Sequence, residues 1–251
     1  MRDNHAPRPS VLPSPLTAFF WSGDALRGRR LGQAVLSAKV DIPEAPARLR
    51  ADWAREISTR MTLEPGDVEV MPLARARTRW PEYPDCVRAM SAWLSTHGLD
   101  GLLADADVAL MACRGARYHH DGEQYGGAAF CNLFVSEGKG QEVHFPALDL
   151  RIPIVRGTAL VFDPSQPHAV IASGNHGFDA ADFPVEPDTT QLFLTWELPI
   201  DHPAVARALG VSFDPDQPVP ATVEDEQIWR DGAKADVCPN TGAWQRARRA
   251  G

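Results

Sequence analysis

The stretch GTALVFDPSQPHAVIASG, Gly157 to Gly174, decides how the chain is to be read. Two short apolar runs, Thr158–Phe162 and His168–Ala172, flank a turn bounded by Pro164 and Pro167. Such runs are too short for helices, and the turn between them is too short to hold a crossover helix, so they read as antiparallel strands. Working outward, the same pattern recurs at Val108–Cys113, Ala128–Ser136, Glu142–Phe145, Leu148–Ile154 and Gln191–Leu198, each bounded by Gly, Pro, Asp or Ser. Seven short strands with no helix-length segment between neighbours predict an all-β sandwich or barrel and disfavour a parallel α/β sheet.

The first half reads differently. From Ala45 to Met61, the residues Leu49, Trp53, Ile57 and Met61 recur every four positions, with Arg48, Arg50, Asp52, Arg55 and Glu56 off that line. From Pro84 to His97, Val87, Met90, Trp93 and Leu94 share a face, and Gly98 supplies a stop. Both are amphipathic helices whose apolar stripes are packing surfaces. The expected fold is mainly β with N-terminal supporting helices. Its parts are a proline-rich arm over 1–15, a helical support region over 16–107, the β core over 108–200 and a C-terminal extension over 201–251. In that extension a short helix is expected at Pro203–Leu209. Ser173–Thr190 reads as a long polar loop that could serve as a lid.

Composition sets the function classes aside. The 251 residues, 44% hydrophobic, can bury a core, which excludes wholesale disorder. The formal charge is −8, uneven along the chain: +4 over residues 1–80 and −12 over 81–251. That balance argues against a general nucleic-acid or membrane binder, and the cluster Arg75-Ala-Arg77-Thr-Arg79-Trp80 reads as surface. Cys86, Cys113, Cys131 and Cys238 are too scattered for a disulfide framework or a thiolate zinc site. No apolar run is long enough to span a bilayer and Met1–Pro15 has no secretory pattern, so a cytoplasmic protein is expected.

The chemistry concentrates in Arg117-Tyr-His-His-Asp-Gly-Glu123. His119 and Asp121 are two apart at the mouth of a strand and would face the same way, so both can bind one metal. The tripeptide alone also suits a plain surface turn. His168, at the start of another strand, supplies a third ligand. Two histidines and a carboxylate on one face leave open positions on Fe(II). His120 and Glu123 could support these ligands, Tyr118 and Tyr125 could line the mouth, and His176 could approach a substrate from the loop. His144 reads as structural.

The run from Tyr118 to Leu198 resembles the core of the Fe(II)/2-oxoglutarate-dependent dioxygenases, above all the prolyl-hydroxylase-like group. The matching pieces are His119-x-Asp121, Asn132–Ser136, Gly140–Pro146, Pro153–Gly157, Ala159–Phe162, His168–Val170, Gly174 and Leu192–Trp196, in the family's order. The resemblance implies a double-stranded β-helix, that is, a jelly-roll or cupin-like barrel. It further implies Fe(II) held by His119, Asp121 and His168, with 2-oxoglutarate and O2 as co-substrates. The product would be an oxidised C–H bond on a small molecule, amino-acid derivative or peptide.

One element departs from the family. Its relatives pair the far carboxylate of 2-oxoglutarate with a basic residue at the start of the last strand. Family spacing puts Thr190 there, and no Arg or Lys occurs between Arg156 and Arg207. Arg151 is the first candidate for a displaced anchor, followed by Arg156, Arg117 and Arg114. Asn132 alternates with Phe130 and Phe134 and should point into the barrel, where its amide would bond either a co-substrate or substrate or the backbone. The family's tyrosine on that strand is replaced, with Phe134 near its place. Gly157…Pro164-x-x-x-His168 also resembles the second cupin motif, and His119-His120…Glu123 loosely the first. An oxidase or dioxygenase without 2-oxoglutarate therefore stands beside the first reading. A non-catalytic metal- or ligand-binding barrel is the third.

Overall fold

A computed structural model describes residues 16–73, 77–214 and 218–247. The proline-rich arm and Arg75 lie outside the described residues.

Eight strands build a jelly roll. They are β5 (Val108–Cys113), β6 (Ala116–His119), β7 (Ala128–Phe134), β8 (Gln141–Phe145), β9 (Leu150–Ile154), β10 (Thr158–Phe162), β11 (His168–Ala172) and β12 (Gln191–Pro199). One sheet contains β10-β7-β12-β5 and the other β6-β11-β8-β9, all antiparallel. The chain crosses repeatedly between them, which is the double-stranded β-helix. Two further strands extend the first sheet at its edges: β3 (Leu36–Lys39) beside β10 and β4 (Val68–Met71) beside β5.

The strands read as continuous apolar runs because both faces of the larger sheet are covered. In β10, Leu160 and Phe162 face the barrel interior with Val143, Phe145, Ile152 and Ile154. Ala159 and Val161 face the opposite way, into a second core with Leu110, Leu133, Leu194 and Trp196. That outer core is roofed by α1 (Ala47–Arg60), through Leu49, Trp53 and Ile57, and by α2 (Tyr83–Ser95), through Cys86, Met90 and Leu94. Met61, Val87 and Trp93 complete the stripes as half-buried neighbours. Gly157 pins β3 to this frame. Its φ of +86° and the Val40 carbonyl, into which a Cβ would run, leave room only for glycine.

A third sheet joins the two ends of the chain. Its order is β15 (Trp244–Arg246), β14 (Ala233–Val237), β13 (Gln227–Arg230), β1 (Thr17–Ser22), β2 (Ala25–Arg30). The region 16–107, expected to be helical support, thus also holds β1 to β4, and the extension after 200 holds β13 to β15 besides α3 (Pro203–Leu209). These strands are short, and charge interrupts their alternation, as in ALRGRR for β2. Their partners also lie far away in sequence, with Thr17 opposite Trp229. No described helix is long and apolar enough to cross a membrane. The four cysteines are free; Cys86, Cys113 and Cys131 are buried, and burial pushes the Cys113 thiol up to about 12.

Candidate metal centre

β6 ends at His119 and β11 begins at His168, and the antiparallel register sets these two residues directly opposite each other. Their ring centroids are 4.3 Å apart. Asp121 follows two residues after His119, and its backbone N–H donates to the Pro164 carbonyl at 2.9 Å, tying the turn after β6 to the turn before β11. One carboxylate oxygen then lies 3.6 Å from His119 Nε2 and the other 3.4 Å from His168 Nε2. One ligand atom from each of the three residues falls within 4.8 Å of the others.

The far side of each ring fixes the chemistry of the near side. His119 Nδ1 lies 2.6 Å from the Arg117 carbonyl, and His168 Nδ1 lies 2.9 Å from the Gln166 carbonyl. A carbonyl only accepts, so each Nδ1 carries the proton and donates it. In the neutral rings both Nε2 atoms therefore aim a lone pair at the Asp121 carboxylate. Three acceptors converging without a proton between them suit a cation. Burial first, and then the neighbouring His168, hold His119 below the ordinary histidine range, which favours the neutral, ligating form. Burial pushes the Asp121 carboxyl up, but the adjacent His168 and the other nearby imidazoles outweigh it and hold it below its usual range.

Behind the ligands the barrel is aromatic. Phe162 packs 5.1 Å from the His168 ring, Phe145 lies 5.1 Å from Phe162, and Phe134 and Phe193 follow at 5.1 Å from each other. Polar groups interrupt this lining, among them a facing pair on the larger sheet. Asn132 on β7 and Thr195 on β12 are register partners, on the parity of Phe134 and Phe193. Asn132 Oδ1 and Thr195 Oγ1 are both buried without a hydrogen-bond partner. Tyr125 stands at the mouth, 4.9 Å from the Phe130 ring. Burial, then the carboxylates of Glu197 and Asp121, raise its phenol above the usual range.

No family model matches this chain, and no curated protein sequence does. Solved structures do align with it. A collagen prolyl hydroxylase from Paramecium bursaria Chlorella virus-1, solved as a 2OG complex, has a TM-score of 0.39 at 10% identity, covering 65% of this chain and 94% of that one. A prolyl-4-hydroxylase from Pseudomonas putida gives 0.36 at 18% identity, with 66% and 93% covered. The epimerase SnoN, in complex with Fe3+, alpha ketoglutarate and nogalamycin RO, gives 0.37 at 11%, with 80% and 91% covered. All are low-identity likenesses, and the fold assignment stands on the strand order itself.

The other candidate residues scatter. Arg151 lies opposite His144 on the outward face of β9, where it pairs with Glu142 and donates to the Asn175 carbonyl at 2.8 Å. The inward positions of that strand are taken by Ile152 and Ile154, so Arg151 cannot reach the barrel interior. Thr190 stands at the head of β12. It shares its parity with Leu192, Leu194 and Trp196, which pack toward the helices, and it accepts from Arg114 at 3.3 Å. Arg114 is itself bound to the Leu63 carbonyl at 2.6 Å, and Arg156 pairs with Glu44 and Glu137 at the surface. Of the four arginines only Arg117 shares the parity of His119, with its guanidinium 5.3 Å over Phe178.

Tyr118 faces outward and meets His144 Nδ1 at 2.6 Å. His120 lies 5.3 Å from Trp244, Glu123 pairs with Lys234 at 2.9 Å, and His176 is exposed. The loop 173–190 does not cover the metal ligands. It leaves β11 at Ala172, the end away from His168, and buries Phe183 against Gly115 just before β6, the end away from His119.

Sequence reasoning passed over Arg29. This fully buried side chain, on β2 outside the barrel, donates to both Asp163 oxygens at 2.6 and 2.8 Å. It donates also to the Gly126 carbonyl at 2.9 and 3.0 Å and to Ser165 Oγ at 3.0 Å. Asp163 in turn accepts from the Gly32 and Ser165 N–H groups at 2.7 and 2.9 Å. Burial pushes the Asp163 carboxyl up, but the Arg29 charge and these hydrogen bonds outweigh it and hold it low. The only sequence signal was an Asp-Pro-Ser turn placed just ahead of the second histidine.

Proposed function

We propose that this chain is a non-haem Fe(II) oxygenase, using 2-oxoglutarate and O2 to oxidise a C–H bond of a small molecule, amino-acid derivative or peptide. The observation that carries the reading is the convergence of His119 Nε2, His168 Nε2 and Asp121 on one point, with both Nδ1 atoms committed to backbone carbonyls. Two imidazoles and one carboxylate fit Fe(II) and leave coordination positions open. Iron bound there would supply the redox chemistry by which oxygen is activated.

The residues around it have separate tasks. The Nδ1–H bonds hold the rings in the ligating tautomer, and Asp121 offsets the charge of the metal. Phe145 and Phe162 keep water from the inner side of His168. The partnerless Asn132 and Thr195 fit a polar co-substrate inside the barrel and would hydrogen-bond its carboxylate or carbonyl oxygens. Each would thereby recover a bond that burial denies it.

A second reading, a cupin-type oxidase or dioxygenase that needs no 2-oxoglutarate, draws on one observation: Arg151, Arg156 and Arg114 are all engaged away from the barrel interior. One titration separates the readings. Anaerobic protein given Fe(II) and then 2-oxoglutarate should develop the weak visible charge-transfer band of a chelated oxoacid, and His119→Ala should not. Iron binding with no such band favours the second reading. No iron binding at all leaves a non-catalytic barrel.

A further inference from the structure

His119 and His168 stand opposite each other on the paired strands β6 and β11. Asp121 stands on the turn after β6, which its N–H ties to the turn before β11 at the Pro164 carbonyl. A second tie between these turns comes from outside the barrel. Asp121 begins the turn 121–125, closed by Tyr125 N–H donating to its carbonyl at 2.8 Å, and Gly126 follows. The other turn runs from Asp163 to His168. There Gln166 N–H donates to the Asp163 carbonyl at 2.9 Å, and the Gln166 carbonyl accepts from His168 Nδ1. The Arg29 guanidinium bridges both turns, with the Gly126 carbonyl on one side and Asp163 and Ser165 on the other. Its neighbour in sequence joins the same clamp, since Gln166 Nε2 donates to the Gly32 carbonyl.

We propose that Arg29 is a positioning residue of the metal centre: from the N-terminal hairpin it clamps the Asp121 turn to the His168 turn and so fixes the spacing of the ligands. The proposal rests on the metal-centre reading above. Arginine suits the task because a planar guanidinium can serve a carboxylate with two donors and a carbonyl with others at once, which a lysine ammonium cannot. The pair has no contact with a ligand atom, so its effect reaches the metal only through the two turns. Groups hydrogen-bonded directly to a ligand change metal affinity by about 10- to 100-fold when removed, and Arg29, one step further out, is expected at or below the lower end of that range.

The test compares metal affinity with fold stability in the full chain, using Co(II) as a spectroscopic probe and Fe(II) by chelator competition under anaerobic conditions. Arg29→Met/Asp163→Leu removes both charges together and leaves no stranded ion, while the Gly32 and Ser165 N–H groups and the Gly126 carbonyl lose partners. Its apo melting temperature is therefore expected below wild type but above that of Arg29→Met alone. The Kd of the double variant for either ion should rise by several-fold and up to about 10-fold. Arg29→Lys keeps the charge but loses the two-sided grip and should weaken binding in the same direction; it carries the test if the double variant fails to fold. Leu94→Ala, in the core under α2, should lower the melting temperature and leave the Kd unchanged. A folded double variant, or a folded Arg29→Lys, with wild-type Kd overturns the proposal. Wild-type protein that binds neither ion overturns the metal-centre reading itself, and the proposal falls with it.

Discussion

The jelly roll and the terminal sheet are built from the same kind of short antiparallel strand, yet they serve the centre in opposite ways. The barrel supplies every ligand: His119 from β6, His168 from β11 and Asp121 from the turn after β6. The terminal sheet supplies no ligand, but its β2 contributes the buried cation that joins the ligand-bearing turns. The barrel interior is apolar and nearly uniform, whereas the junction between the two is a dense polar knot around Asp163. Chemistry-bearing groups and the groups that hold them thus come from different parts of the chain.

The harshest way to break this division is to strand a charge at the junction. Arg29→Met leaves Asp163 buried and unpaired and should cost about 3–5 kcal/mol in urea denaturation. The double variant with Asp163→Leu should regain most of that loss. Within the barrel, His168→Ala or Asp121→Ala should leave the fold standing but weaken Fe(II) binding by on the order of a hundredfold or more, beyond what an outlying partner contributes. Unchanged affinity in a chelator competition would remove the residue from the centre.

Asn132 sharpens the contrast from the barrel side. Replacing an amide whose buried Oδ1 has no partner with an apolar side chain relieves a desolvation penalty of about 1–3 kcal/mol, so Asn132→Leu should raise apo stability. The same change should weaken 2-oxoglutarate binding to the Fe(II) form by roughly tenfold, read from the charge-transfer titration. The junction has its own pH signature. The Asp163 carboxyl ordinarily titrates at 3.8 and is held lower in the fold, so its contribution is fully present above that value. It is lost as pH falls through the depressed folded value. Acid unfolding of the wild type should therefore be steeper than that of the double variant. Far from both regions, Arg88→Ala breaks an exposed i,i+3 pair with Asp85 on α2 and should shift stability by less than about 0.5 kcal/mol.

What could be read in advance follows the same line between the regions. The barrel strands were legible because unbroken Val, Ile, Leu and Phe runs between Gly and Pro turns have few other meanings. His119, Asp121 and His168 were legible because a period of two fixes which side chains share a face. The outward turn of Arg151 was not, since its strand is apolar on the other parity and only the packing of Ile152 and Ile154 says which parity is inside. The resting place of 173–190 depends on the direction of β11, which the alternation of its residues does not reveal. Arg29 was hidden within Arg27-Gly-Arg-Arg30, which looks like a solvated run until β1 is paired on both sides.

That pairing has a consequence for how the protein is made. β1 lies between β2 and β13, with Thr17 against Trp229, so one of the earliest strands to be synthesised must wait for one of the latest. Closing so long a loop is entropically unfavourable and slow, and such contacts are late events in folding. A chain still emerging from the ribosome would thus hold all three ligands well before the strand that seats their clamp. A product truncated before β13 would be expected to carry a loose centre on an otherwise recognisable barrel.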